Sequence, residues 1–285
     1  MLKLLKVFLG TTLLLLLLTG SCIFYAFKIE PYRITTNEVY LNEESSSFLK
    51  VVQFSDIHIK EDFTYKNLNK VVKKINEQNP DVVVFTGDLY DNYAKYHDDE
   101  MIVNELQKIN AKYDKIAIWG NRDYGGGAER QYETIMEQSG FTVLKNENWY
   151  ITTDTDKKIL FTGLDDSILG NVAMPDSTKI YESDYDILLT HEPDTADSFE
   201  EYSYDLILSG HSHGGQVNIP FLPTINQKAV SSTSLATNYV GGMYELNADT
   251  KMYVNTGIGT THISARFGVV PEISVFIIYP GLFTA

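Results

Sequence analysis

The fold class predicted for this 285-residue chain is α/β with buried sheets, preceded by one N-terminal membrane-spanning helix. Three observations predict it: an uncharged apolar stretch from Val7 to Phe27, short β-branched runs too brief for helices, and amphipathic repeats between those runs.

The apolar stretch covers 21 residues and would span about 30 Å, the thickness of the hydrocarbon core of a bilayer. Lys3 and Lys6 precede it, which puts residues 1–6 in the cytoplasm and the remainder outside, as a single-pass protein of the cell membrane. A cleaved signal peptide has a shorter apolar core and a small-residue exit, and neither is plain here. A lipoprotein signal would end at Cys22, but Thr19 stands where such signals usually carry leucine. An uncleaved anchor over residues 7–27 is therefore expected. Residues 28–47 are polar and contain turn formers such as Ser45-Ser46-Ser47; they read as a stalk with one edge strand near Tyr40. One folded domain is expected over residues 48–285.

From Phe48 the pattern changes. Leu68, Val71, Val72 and Ile75 repeat at helical spacing, as do Ile102, Leu106 and Ile109. Between them, Val82-Val83-Val84-Phe85 is too short and too β-branched for a helix and predicts a buried strand. Met252–Val254 and Ile273–Ile278 are strand-like runs separated by glycine turns.

Composition narrows the functional classes. The net charge is −15, and because the first 27 residues contribute +2 through Lys3 and Lys6, the remainder carries −17. Such a domain repels nucleic acid, and no basic patch offsets the charge. The single cysteine, Cys22, lies in the apolar leader, which excludes a disulfide, a thiolate nucleophile or a zinc finger in the folded domain.

The residues just beyond each apolar run carry the chemistry. Val51–Phe54 leads into Asp56 and His58, Val82–Phe85 into Gly87-Asp88, and Ile116–Trp119 into Gly120-Asn121-Arg122-Asp123. Ile187–Leu189 leads into His191, and Leu206–Leu208 into Gly210-His211-Ser212-His213. Every run ends in an oxygen or imidazole donor, at the carboxyl edge where α/β sheets place their sites. Of six histidines, only His97 and His262 stand outside these strand ends. A lone Asp-x-His or Gly-Asp carries little weight; the ordered set points to a metal centre.

In these residues the chain resembles the calcineurin-like metallophosphoesterases, whose signature is Asp-x-His, Gly-Asp, Gly-Asn-His-Asp/Glu, a lone His and Gly-His-x-His, in that order. The likeness runs from about Phe48 to Gln216. Gly210–Gln216 and the segment from Asn255 to Ile273 also look like the family's bacterial membrane-associated branch. The resemblance implies a β-sandwich flanked by helices with a dinuclear centre at its edge. It implies that Asp56, His58 and His213 hold one divalent cation, Asn121, His191 and His211 the other, and that Asp88 bridges both. Carboxylate, amide and imidazole donors without thiolate suit Mn²⁺, Fe or Zn²⁺ alike; Mn²⁺ is the ion expected here.

One position departs from the signature. Arg122 replaces the usual histidine, a form familiar from UDP-2,3-diacylglucosamine pyrophosphatases. Arginine donates no proton near neutral pH but binds phosphate through its fork, so catalytic parts are expected for Asp88, Asn121 and Arg122. Gly125-Gly126-Gly127 reads as a flexible loop, and Arg266 reaches either a substrate phosphate or a structural ion pair. The expected activity is hydrolysis of a membrane- or envelope-linked phosphate ester, as a phosphodiesterase or pyrophosphatase. A broad phosphomonoesterase and a non-catalytic interaction module on the same fold are the alternatives.

Overall fold

The computed structural model describes residues 2–42, 47–175, 183–199, 203–230 and 233–280. Helix α1 (Leu2–Lys28) contains the apolar stretch, and none of its residues is buried. The first half of the domain then builds β1 (Thr35–Leu41), β2 (Leu49–Phe54), α2 (Tyr65–Glu77), β3 (Val82–Phe85), α3 (Asp99–Leu106), β4 (Asp114–Ile118), the one-turn α4 (Asn121–Tyr124), α5 (Tyr132–Gln138) and β5 (Thr142–Leu144). The second half adds β6 (Glu147–Thr152), β7 (Lys158–Gly163), β8 (Tyr185–Leu189), β9 (Leu206–Ser209), α6 (Pro223–Val230), β10 (Gly242–Glu245), β11 (Lys251–Val254) and β12 (Glu272–Ile278).

These strands form two six-stranded sheets, ordered β1-β12-β2-β3-β4-β5 and β10-β11-β9-β8-β7-β6. In the first, β2 to β5 are parallel, β12 lies antiparallel on β2, and β1 completes the edge. In the second, β7, β8, β9 and β11 are parallel, with β6 and β10 antiparallel at the edges.

Alternation along the strands explains the layers. Val82 and Val84 of β3 pack with Ile116 and Ile118 against Ile159, Phe161, Ile187 and Leu208 of the facing sheet. Val83 and Phe85 point the other way, onto Leu68, Val71 and Ile75 of α2 and Ile102 of α3. Both faces of β3 are covered, so it has no polar face. The helical repeat predicted from Leu68 to Ile75 is the buried stripe of α2; each such side chain contributes about 1.5–3 kcal/mol. Thr64 caps that helix, and its own N–H donates to Asn67 Oδ1 at 3.1 Å.

Much of the segment expected to be a stalk belongs to the domain. Glu30 and Pro31 are buried in a short 3₁₀ turn, Thr35 N donates to Pro271 O at 2.8 Å, and β1 pairs with β12 from Thr35 to Leu41. The expected edge strand near Tyr40 is this one. It reads as a linker because an edge strand with one wet face alternates polar residues. Ser45 and Ser46 lie outside the described residues, as do residues 281–285.

Candidate metal centre

Each predicted ligand, and Arg122 with them, lies just past the carboxyl end of a strand. Asp56 and His58 leave β2, Asp88 leaves β3, Asn121 and Arg122 open α4 after β4, His191 comes after β8, and His211 and His213 after β9. Asp56, His58, Asp88, His211 and His213 all have left-handed backbone angles, with φ between 48° and 64°. Such conformations in non-glycine residues cost about 1–3 kcal/mol each and concentrate at functional sites. They reverse the chain sharply, so side chains from both sheets meet over one edge. Two glycines permit the approach: a Cβ on Gly87 would lie 2.6 Å from the Gly120 nitrogen, and one on Gly120 would lie 2.4 Å from Asp88 Oδ1.

Two buried clusters result, one of Asp56, His58 and His213 and one of Asp88, His191 and His211. In the first, Nε2 of His58 and Nε2 of His213 are 2.9 Å apart, and Asp56 Oδ1 lies 3.5 Å from the latter. In the second, His191 Nε2 is 3.2 Å from His211 Nδ1 and 3.4 Å from Asp88 Oδ2. The same Asp88 oxygen is 3.4 Å from His58 Nε2, so it stands between the clusters. The outer ring nitrogens are held: His191 Nδ1 meets Thr86 O at 2.6 Å, and His211 Nε2 meets Ser234 O at 2.8 Å. A carbonyl can only accept, so each of these rings carries a proton on its outer nitrogen, and the neutral ring turns its lone pair inward.

The electrostatics describe a site short of positive charge. Burial opposes ionisation of Asp56 and Asp88, but the imidazoles around them hold both carboxyls below the usual range. Burial also disfavours imidazolium, yet the carboxylates raise His58 and His191, the latter strongly. His211 and His213 go down, first through burial and then through neighbouring positive charge on His191 and on His58 respectively. Imidazole nitrogens facing each other across hydrogen-bond distances, with carboxylates between them, fit two divalent cations in place of shared protons.

Asn121 and Arg122 line the cavity above this pair together with Thr261 and His262. Arg122 N donates to Asp88 Oδ1 at 2.7 Å, and its Nη2 donates to Thr261 Oγ1 at 3.2 Å. Asp123 stays behind the centre, accepting the N–H groups of Asp88, Leu89 and Gly120 at 2.8–2.9 Å. Burial and the Asp88 charge push its carboxyl up to about 8.

Several expectations change. Arg266 is fully buried; it donates to the carbonyls of Thr256, Gly257 and Gly259, its Nη2 lies 3.3 Å from His213 Nδ1, and burial lowers it to about 10. It therefore shapes the loop after β11. Gly125–Gly127 forms a 3₁₀ turn tied to the neighbouring loop, with Ala94 N donating to Gly126 O at 2.7 Å. His97 stacks on Tyr93 at 4.6 Å, away from the clusters. His262, outside every motif, nonetheless lines the cavity. The residue that spacing missed is Asp91, whose Oδ1 lies 3.4 Å from His58 Nδ1. Its only signal was a third carboxylate position after Gly87-Asp88.

Comparison with known proteins agrees with the geometry. The model of a family described as calcineurin-like phosphoesterase matches residues 49–215. The chain is 37% identical over 257 residues to YkuE of Bacillus subtilis (strain 168), an uncharacterized metallophosphoesterase, covering 88% of both. It is 31% identical to the uncharacterized metallophosphoesterase Cj0846 of Campylobacter jejuni over 80% of this chain and 58% of that one. It is 27% identical to LpxG of Chlamydia muridarum, a UDP-2,3-diacylglucosamine pyrophosphatase, over 80% of this chain and 82% of that one.

Proposed function

Because the chain belongs to the calcineurin-like phosphoesterase family and is a phosphoester hydrolase with a dinuclear metal centre, we propose that it cleaves a phosphodiester or pyrophosphate linked to a membrane or cell-envelope lipid. Asp56, His58 and His213 would hold one cation, Asn121, His191 and His211 the other, and Asp88 would be shared between them, with Mn²⁺ the favoured ion. The observation that carries this assignment is Asp88 Oδ2, equidistant at 3.4 Å from His58 Nε2 and His191 Nε2.

Bound there, two cations supply Lewis acidity and lower the pKa of water towards neutrality. The chain's own groups do the rest. Arg122, braced by Thr261, offers its guanidinium to phosphoryl oxygens and stays charged across the working pH range. Having no proton to give, it favours substrates whose leaving group is already acidic, such as the phosphate of a pyrophosphate. Likeness to a pyrophosphatase over most of both chains supports that preference.

Residues 7–27 within α1 anchor the protein, with residues 1–6 inside and the domain outside the cytoplasm; Lys3 and Lys6 argue for this direction. Alkaline phosphatase fused at the C-terminus should be active, and an inactive fusion beside a working cytoplasmic reporter inverts the topology. The activity is tested by loading the purified full chain with Mn²⁺ and comparing UDP-2,3-diacylglucosamine and bis-p-nitrophenyl phosphate with p-nitrophenyl phosphate. Metal-dependent turnover of the first two should exceed that of the monoester by about tenfold or more, the scale of one lost positioning contact. A faster monoester reaction replaces this reading with a broad phosphomonoesterase.

A further inference from the structure

Besides isolated exposed rings such as Tyr40, Phe48 and Trp149, the folded domain carries several exposed apolar side chains in the loops at one edge. Ile168 and Leu169 lie in the loop after β7, Phe221, Leu222 and Ile225 in the segment after β9, and Ile263 in the loop after β11. Those strands are parallel, so their following loops open at one edge, the edge that carries His191, His211 and His213. Phe221 is 99% exposed and Ile263 60%. Apolar groups concentrated at one rim mark a contact surface, in contrast to scattered single residues.

The anchor identifies what covers that rim. Near its last turn, Ala26 O accepts from Arg266 N at 3.0 Å, and the Tyr25 ring meets Phe267 edge-on at 6.3 Å. Phe267 is bonded in turn to the segment after β9: its N–H donates to Gln216 O at 3.0 Å, and its carbonyl accepts from Asn218 N at 2.7 Å. Asn226 of α6 then bonds Asn218 Oδ1 and Ile219 N at 2.8 and 2.7 Å. A continuous bonded path thus joins the end of α1 to the turn that carries Phe221, and Thr261 and His262 of the same loop line the metal cavity.

We propose that this rim is a lipid-contacting face. Phe221, Leu222, Ile225 and Ile263 enter the interface of the bilayer that α1 spans, and the cavity takes an amphiphile whose phosphate lies at headgroup depth in that same leaflet. The inference rests on the anchored phosphoesterase reading above. Side chains of this kind sit about 5–10 Å into the headgroup–acyl boundary. A substrate held in the plane is delivered at high effective concentration without leaving the membrane.

The test uses the full chain reconstituted in phosphatidylglycerol–phosphatidylcholine vesicles, in a Cys22→Ser background. A polarity-sensitive fluorophore is placed by Phe221→Cys or, as a control, by Tyr40→Cys, which sits near the far end of β1 and is 65% exposed. The label at position 221 should emit at shorter wavelength and be quenched by lipids carrying a spin label near the headgroup; the label at 40 should not. In parallel, Phe221→Ser, Leu222→Ser and Ile225→Ser combined should lower turnover of a vesicle-borne lipid pyrophosphate about tenfold while leaving bis-p-nitrophenyl phosphate hydrolysis unchanged. Identical behaviour of the two labels, or an equal loss on both substrates, overturns the proposal. A wild-type chain inert on both substrates while label 221 is membrane-inserted would instead defeat the enzymatic reading and leave the surface standing.

Discussion

The two halves of the metal centre are built to similar distances but held by different means. His191 and His211 donate their outer protons to the backbone carbonyls of Thr86 and Ser234. His58 and His213 instead face charged side chains, Asp91 Oδ1 at 3.4 Å and Arg266 Nη2 at 3.3 Å. A carbonyl fixes the tautomer of the neutral ring, whereas a charged neighbour also shifts the ring's affinity for a proton and a metal. The first arrangement is rigid and invisible to side-chain substitution; the second is adjustable. Asp88 Oδ2 lies 3.4 Å from an imidazole nitrogen of each half.

That shared oxygen sets the largest expected effect. Asp88→Ala should abolish turnover and reduce bound metal below one ion per chain, measured by elemental analysis, because both cations lose a ligand and their mutual repulsion goes unshielded. Two retained cations with activity would mean that the halves are independent sites.

Arg122→Ala comes next. Its backbone N–H stays on Asp88 Oδ1, so the metal ligands keep their places and only the guanidinium is lost. kcat/KM should fall about 10²-fold, the size of one transition-state donor, with unchanged metal content. Arg122→Lys should restore part of this, since a point charge lacks the fork. The alkaline limb of the pH–rate profile should persist in both variants. Wild-type rates on every phosphoester would reduce the residue to part of a turn.

The contrast between the halves also governs how much of the site could be read from residues alone. The donors at the ends of β2, β3, β4, β8 and β9 were legible because each comes after an unmistakable apolar run, and because carboxylate, amide and imidazole at strand ends have few other uses. The carbonyls of Thr86 and Ser234 were not, since every residue has a carbonyl and no letter marks which one is aimed. Asp91 was hidden among 38 acidic residues. Helices α2 and α3 announced themselves by spacing, but pairing β1 beside β12 needs residues more than 200 positions apart to be neighbours, which local pattern does not encode. Arg266 misled for a related reason: a guanidinium enclosed by carbonyls looks, in sequence, like one that meets phosphate.

Asp91→Asn has the smallest expected effect and separates the halves most sharply. The substitution keeps the shape and removes the charge that faces His58, so that ring becomes a weaker ligand while Thr86 and Ser234 still orient the other two. Affinity for the cation of the first half should fall about tenfold, the lower range for loss of a partner behind a ligand, and the second cation should bind as before. Calorimetric titration with Mn²⁺ resolves the two. The acid limb of stability adds a check on the metal-free chain. Burial pushes the Asp91 carboxyl up, but His58, Lys60 and Arg122 outweigh it and hold it below the ordinary carboxylate range. A carboxyl depressed in the folded state stabilises the fold above its unfolded pKa of about 3.9, and that contribution is lost as pH falls through the folded value. Wild type should therefore lose more stability than Asp91→Asn as pH drops below about 4. Equal weakening of both cations by Asp91→Asn would show that the centre responds as one unit, and the distinction between a backbone-held half and a charge-tuned half would be lost.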